Sequence, residues 1–153
     1  MAGSFADVFS PDNPVFRAYV FYCAILVLKL MFMSIYTART RMKKMVFSNP
    51  EDIMGRKDSK IRFDDPDVER VRRAHQNDLE NLVPFFVAAP LYQLTAPSAA
   101  VAVNLFRAFA AARCAHTLVY AVWPRPQPAR SLCFGAGFCV TLYMAVQAAV
   151  GFL

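Results

Sequence analysis

The chain has 153 residues, enough for one domain, and 57% of them are hydrophobic against 18% charged. That balance is more apolar and less charged than an ordinary soluble domain, and it points to a membrane protein. The formal charge of +6 is concentrated: between Arg39 and Arg73, eleven of the 17 Lys and Arg residues accompany seven acids and leave that stretch at +4. Such mixed charge suits a cytosolic loop beside anionic lipid and, with no recognition motif beside it, speaks against a nucleic-acid platform.

Met1–Pro14 holds two acids and no Lys or Arg, so it lacks the basic n-region of a cleavable signal peptide. The apolar segment 14–38 is long for a signal core and reads as a retained signal anchor, with Arg17 and Lys29 inside it. A polar loop, 39–66, carries both signs of charge. Pro66 then precedes the acidic turn Asp67-Val68-Glu69, a good helix start, and one helix is predicted over 67–96 with its first third projecting from the membrane. Pro84 and Pro90 inside it kink a membrane helix without forbidding it. The uncharged turn Thr95–Ser98 leads to a third segment, 99–123, containing Arg107, Arg113 and His116. A proline-rich turn with Arg125 and Arg130 leads to a fourth, 131–153, which has no charge.

Each segment is near the ~20 residues that a spanning helix needs. The expected fold is an all-α integral membrane protein, a four-transmembrane-helix bundle forming a single domain over 1–153. Basic loops stay cytosolic, so loops one and three are placed in the cytosol and both termini in the lumen. The four cysteines, Cys23, Cys114, Cys133 and Cys139, lie in apolar segments without CxxC or Cys/His metal spacing. They are expected to be small buried hydrophobes, with no metal site.

Chemistry-bearing residues recur at helical spacing. Arg70, Arg73, Asn77, Glu80 and Pro84 lie at i, i+3, i+7, i+10 and i+14, one stripe of the second helix. Arg73, Asn77 and Glu80 are expected to point into the bundle at its cytosolic edge, His75 to a different side, and Arg72 and Asp78 away from the interior. Arg113, His116 and Tyr120 share a stripe of the third helix. An arginine there must face protein, water or a ligand, and an Arg113–Glu80 pair locking the bundle is the simpler reading. Arg130 and Ser131 open the fourth helix, where free N–H groups favour an anion; a positive-inside flank is the simpler reading. A ligand with two carboxylates, an ammonium and peptide groups would match the whole set. Glutathione has that pattern, and a nucleotide or a phospholipid head group fits as well.

Several segments together resemble the MAPEG family, membrane-associated proteins in eicosanoid and glutathione metabolism. They are Arg41 with Lys43 and Lys44, Phe47-Ser48-Asn49-Pro50-Glu51-Asp52, the run from Asp65 to Asn81, Arg113–Tyr120, and Pro126-Gln127-Pro128-Ala129-Arg130-Ser131-Leu132. The resemblance implies a homotrimer of four-helix subunits in the endoplasmic reticulum membrane, with mitochondrial outer membrane as a second location. It implies glutathione as cofactor, bound at the cytosolic side between subunits. The implied glutathione contacts are Arg73, His75, Asn77, Glu80, Arg113, His116, Tyr120 and Arg130, completed by Arg41 of the neighbouring subunit. Arg130, Ser131 and Asp52 are the implied catalytic residues, with Arg130 stabilising the thiolate. The other partners are membrane lipids and a lipophilic substrate arriving from the bilayer.

Two activities follow from the resemblance: glutathione transfer with peroxidase activity, and, as the alternative, glutathione-dependent isomerisation of prostaglandin H2 to E2. Gln76 stands where the prostaglandin-synthase branch carries arginine, and Phe134 where it carries tyrosine. Ile53 stands where the mammalian transferase carries a cysteine. The Pro-Gln-Pro turn is similar to the transferase branch.

Overall fold

A computed structural model of the chain describes residues 5–53, 55 and 57–153. The fold is mostly helical: a short α1 (Phe5–Val8), then α2 (Pro14–Lys44), α3 (Pro66–Gln93), α4 (Ala99–Thr117) and α5 (Ala129–Gly151). A π-helical turn, Leu118–Val122, continues α4. The α2–α3 connection folds into a 3-10 turn at Pro50–Ile53 and two short parallel strands. These are β1 (Val46–Phe47) and β2 (Lys60–Ile61), with Val46 opposite Lys60 and Phe47 opposite Ile61.

Local chemistry sets the helix starts. The Asn13 side chain accepts from the N–H of Val15 at 2.9 Å, with Pro14 in the first turn. Asp65 does the same for Asp67 and Val68 at 3.1 Å each, with Pro66 following it. Ser98 caps α4 through Val101 N–H.

Helix α2 runs six residues beyond the predicted end at Ala38. Nothing between Ala38 and Lys44 breaks a helix, and basic residues suit a helix C-terminus, so hydropathy marks a change of surroundings rather than the helix end. It stops at Met45, which adopts a left-handed φ of 54° and returns its N–H to the carbonyls of Arg41 and Met42. Lys44 pairs with Asp67, tying the end of α2 to the start of α3. That hydrogen-bonded ammonium holds the Asp67 carboxyl below its ordinary pKa. The tie is therefore intact at neutral pH and is lost as pH falls through the lowered value. Helix α3 stops at Gln93, short of the predicted Ala96, because Ala96 has φ 50° and Pro97 follows. The strands are two residues each, too short to leave a pattern in the sequence.

Among the described residues two helices, α2 and α5, are long and apolar enough to cross a membrane. Helix α3 opens with a charged third, and α4 carries Arg107, Arg113 and His116. Helix α2 packs on α3 and α4, and α5 packs on α3 and α4. The main apolar core is built from Leu26 of α2, Leu82 and Phe85 of α3, Phe106 and Phe109 of α4, and Met144 of α5, all buried. Phe85 stacks on Phe109, with centroids 4.0 Å apart and planes 4° apart. A smaller cluster unites Met33 of α2, Val71 and Ala74 of α3 and Ala121 of the π turn.

Proline and glycine have specific places here. Pro90 lacks an N–H, so the carbonyl of Phe86 has no helical donor, and the Tyr19 hydroxyl from α2 donates to it at 3.1 Å. A Cβ on Gly137 of α5 would lie 3.4 Å from Arg113 Cδ, so this glycine lets α5 close over α4. The cysteines are less enclosed than expected: Cys23, Cys114 and Cys133 are half-buried and Cys139 is exposed, all as free thiols. They share the outer surface with exposed Phe21, Leu28 and Ile35 of α2, Val83 and Val87 of α3, and Leu132, Phe138 and Val146 of α5. So large an apolar exterior marks a surface covered by lipid or protein.

Phe109→Ala should remove the stacked ring and leave a cavity at the centre of the core. A loss of about 3–5 kcal/mol is expected, read as a lowered unfolding midpoint of the purified protein in detergent.

Candidate active site

Between the two apolar clusters lies a buried ionic group. Asp78 of α3 and Arg113 of α4 have fully buried side chains, and Lys29 of α2 is 9% exposed. Arg113 Nη2 donates to Asp78 Oδ1 at 2.6 Å, Lys29 Nζ lies 2.6 Å from Asp78 Oδ2, and Thr117 Oγ1 donates to the same Oδ2 at 3.3 Å. The same Nη2 of Arg113 donates to Asn77 Oδ1 at 2.9 Å.

Two expectations are corrected here. Asp78 faces the interior, and Arg113 pairs with it rather than with Glu80. The signal was present in the sequence: Val68, Val71, Ala74, Leu82, Phe85 and Tyr92 trace the buried stripe of α3, and Asp78 falls on it at i+4 from Ala74. Asn77, one residue earlier, is turned about 100° away, towards the cavity.

That cavity, about 420 Å³, lies between α3, the end of α4 and the start of α5. It brings together Arg73, Asn77, Glu80, His116, Tyr120, Arg130 and Ser131 from the expected set, and adds Gln76, Gln127 and Phe134. The Arg130 guanidinium sits over the Tyr120 ring, 4.5 Å from its centroid. His116 meets the same ring edge-on at 5.5 Å, and its Nδ1 is buried with no partner. Glu80 accepts from Gln76 Nε2 at 3.3 Å. Gln127 accepts from Ser131 Oγ at 2.7 Å, which fixes the first turn of α5, whose N-cap position is Pro128 with no side-chain cap.

Four expected residues do not line this cavity. Arg113 is buried behind Asn77. Arg41 is half-buried on the last turn of α2 and His75 half-buried on another side of α3. Asp52 is exposed on the 3-10 turn and accepts from Asn49 at 3.2 Å. Lys29, Thr117 and Gln127 carry interactions that helical spacing did not single out.

The site is cationic on two walls, with Arg73 from α3 and Arg130 from α5, and carries one carboxylate, Glu80. It suits an anion with a second, positively charged group. A groove continues from it along α3 and α5: an apolar hollow of about 520 Å³ shares Asn77, Glu80 and Phe134 with the cavity. A further hollow of about 540 Å³ shares Pro84, Thr141 and Ala145 with that one and reaches Phe152. Polar and apolar hollows thus adjoin one another along α3 and α5.

Residues 19–150 match the MAPEG family. Microsomal glutathione S-transferase 1 of Mus musculus is 47% identical over 140 residues, 89% of this chain and 90% of its own length. The Homo sapiens protein of that name is 46% identical over 140 residues with the same coverage. Prostaglandin E synthase of Homo sapiens is 36% identical over 109 residues, 71% of this chain and 72% of its own. Gln76 and Phe134, the two positions that depart from the synthase pattern, both line the cavity.

Asp78→Asn should leave two buried cations without a carboxylate and cost about 3–5 kcal/mol. The triple change Lys29→Met, Asp78→Leu, Arg113→Met should cost far less in stability while depriving Asn77 of its donor. Thermal unfolding of the variants in one detergent separates the two outcomes.

Proposed function

The chain belongs to the MAPEG family, and on that premise we propose that it is a membrane glutathione transferase with peroxidase activity towards lipophilic electrophiles and lipid hydroperoxides. The observation that carries this reading is the placement of Arg130 and Ser131, at the first turn of α5, in one cavity with Arg73, Asn77 and Glu80.

The residues fit glutathione. The Arg73 guanidinium suits bidentate contact with a carboxylate. Glu80 suits the ammonium, and Asn77, held by Arg113, suits the peptide groups. His116 Nδ1 is a buried polar atom in want of a partner. Glutathione supplies a thiol, which is a nucleophile in its deprotonated form. Arg130, braced on Tyr120, and the dipole of α5, at whose N-terminus Gln127 Oε1 already takes the Ser131 N–H at 3.4 Å, would stabilise a negative sulfur beside them and so lower the pKa of a thiol placed there. The apolar groove between α3 and α5 would admit the lipophilic partner from the bilayer side.

The remaining architecture belongs to the same proposal. Four helices span the endoplasmic reticulum membrane, with the cavity at the cytosolic side, and three copies assemble. The exposed apolar flanks support contact with lipid and with neighbouring copies. Arg41, outside the cavity of its own chain, would complete the site of the next, and Asp52 would approach from the connecting loop. The second reading, prostaglandin H2 to E2 isomerisation, is supported by 36% identity to a prostaglandin E synthase.

Stopped-flow absorbance of the glutathione thiolate on the purified protein tests the assignment. Wild type should show thiolate formation on mixing; Arg130→Ala should lose it, and turnover of a chloronitrobenzene should fall at least about a hundredfold. Unchanged turnover would sink the role of Arg130. Incubation with prostaglandin H2 separates the two activities, E2 above the nonenzymatic level favouring the isomerase.

A further inference from the structure

A second polar cavity, about 380 Å³, lies where the end of α2, the start of α3 and the π turn meet, and it shares no residue with the first. Its charged walls are Arg39, Lys43 and Lys44 of α2 and Asp67 and Arg70 of α3. Lys44 and Arg70 both pair with Asp67. Arg39 and Lys43 have no ion pair among the described residues, and both are exposed. Four cations thus surround one carboxylate, at a point that the proposed topology sets on the cytosolic face.

The approach to this cavity is apolar. Leu28, Phe32, Ile35, Arg39 and Lys43 follow one another at intervals of four, three, four and four residues, which places them on one stripe of α2. Leu28 is 62% exposed, Phe32 47% and Ile35 67%. From Leu28 to Arg39 the helix rises roughly 16 Å, at about 1.5 Å per residue. That equals the depth of hydrocarbon in one leaflet, about 15 Å. The stripe therefore offers an apolar track one acyl chain deep, ending in unpaired cations. Arg41 lies two residues from Arg39 and from Lys43, hence on the opposite side of the helix, so the surface proposed above to meet a neighbouring copy is a different one.

We propose that this cavity binds the phosphate-bearing head group of an anionic phospholipid, whose acyl chain lies along Leu28, Phe32 and Ile35. This rests on the membrane reading of the preceding subsection. A zwitterionic head group has no net charge to set against the excess of positive charge in the cavity, so selectivity for a net negative head group follows. A basic loop that merely keeps to the cytosolic side would show no such selectivity and no fixed stoichiometry.

The experiment uses the full chain in phosphatidylcholine nanodiscs doped with phosphatidylserine, with retained lipid read by native mass spectrometry. One phosphatidylserine per chain should be kept in preference to phosphatidylcholine. The double variant Arg39→Gln, Lys43→Gln should weaken that retention about tenfold or more, while Arg17→Gln, at the other end of α2, should leave it unchanged. Equal retention of the two lipids, or retention indifferent to the double variant, would overturn the proposal. Displacement by millimolar inorganic phosphate would overturn it in favour of a soluble-anion site. Failure of the wild-type chain to enter nanodiscs at all would overturn the membrane reading, and this site with it.

Discussion

Asp78 binds three helices at one point. Its two carboxylate oxygens take Arg113 from α4 and Lys29 from α2, with Thr117 as a third donor, and all of this lies between two apolar clusters. Burying an ion pair contributes little net stability compared with an apolar replacement, because desolvation offsets much of the attraction. What the group supplies is register. Apolar contacts tolerate a sliding helix; a carboxylate that must meet two cations at 2.6 Å does not. The same Arg113 that answers Asp78 also holds Asn77, so the register of the core is transmitted to the wall of the cavity within one side chain.

Helix α3 joins these functions by presenting different residues around its circumference. Its buried stripe through Val71, Ala74, Asp78, Leu82 and Phe85 faces the core. Arg73, Gln76, Asn77 and Glu80 face the cavity. Asp67 and Arg70, in the first turn and a half, face the end of α2. The two polar cavities therefore differ in kind. One lies between α3, α4 and α5 and adjoins an apolar groove; the other lies between the end of α2, the start of α3 and the π turn. The first has a carboxylate available for a cationic group, whereas the second has its one acid already paired twice.

Much of this was legible in the sequence, and the parts that were not share a cause. Helical periodicity placed Arg73, Asn77 and Glu80 on one stripe, and the structure puts all three in one cavity. The onset of the apolar run located the start of α2, and Pro66 with the acidic turn after it located the start of α3, each to within a residue. Periodicity describes one helix at a time, however. The partners of Asp78 lie 49 residues before it and 35 after it in the chain, and no local pattern connects them. Taking the Arg73–Asn77–Glu80 stripe as the inward one sent Asp78 outwards; its place in the apolar stripe sends it inwards, and the apolar stripe was the better guide. Arg113 was placed among the glutathione contacts by the resemblance, and its Nη2 instead meets Asp78 and Asn77. The end of α2 was missed because hydropathy reports solvent, whereas the helix continues until backbone geometry turns it at Met45.

The ionic group also constrains how the chain can be made. A ribosome delivers α2, and with it Lys29, before the carboxylate that Lys29 pairs with. Helix α3 brings Asp78 and neutralises it; α4 then brings Arg113 and restores a single positive charge. In the four-span arrangement proposed above, Lys29 and Asp78 left alone in hydrocarbon would each cost about 2.5–3.5 kcal/mol. Helix α2 therefore has reason to remain near the insertion machinery until α3 has emerged, and the helix pair to remain unfinished until α4 arrives. Assembly of this small protein is in that sense a single event rather than four, and a chain interrupted between α3 and α4 would present a matched pair where the complete fold requires a trio.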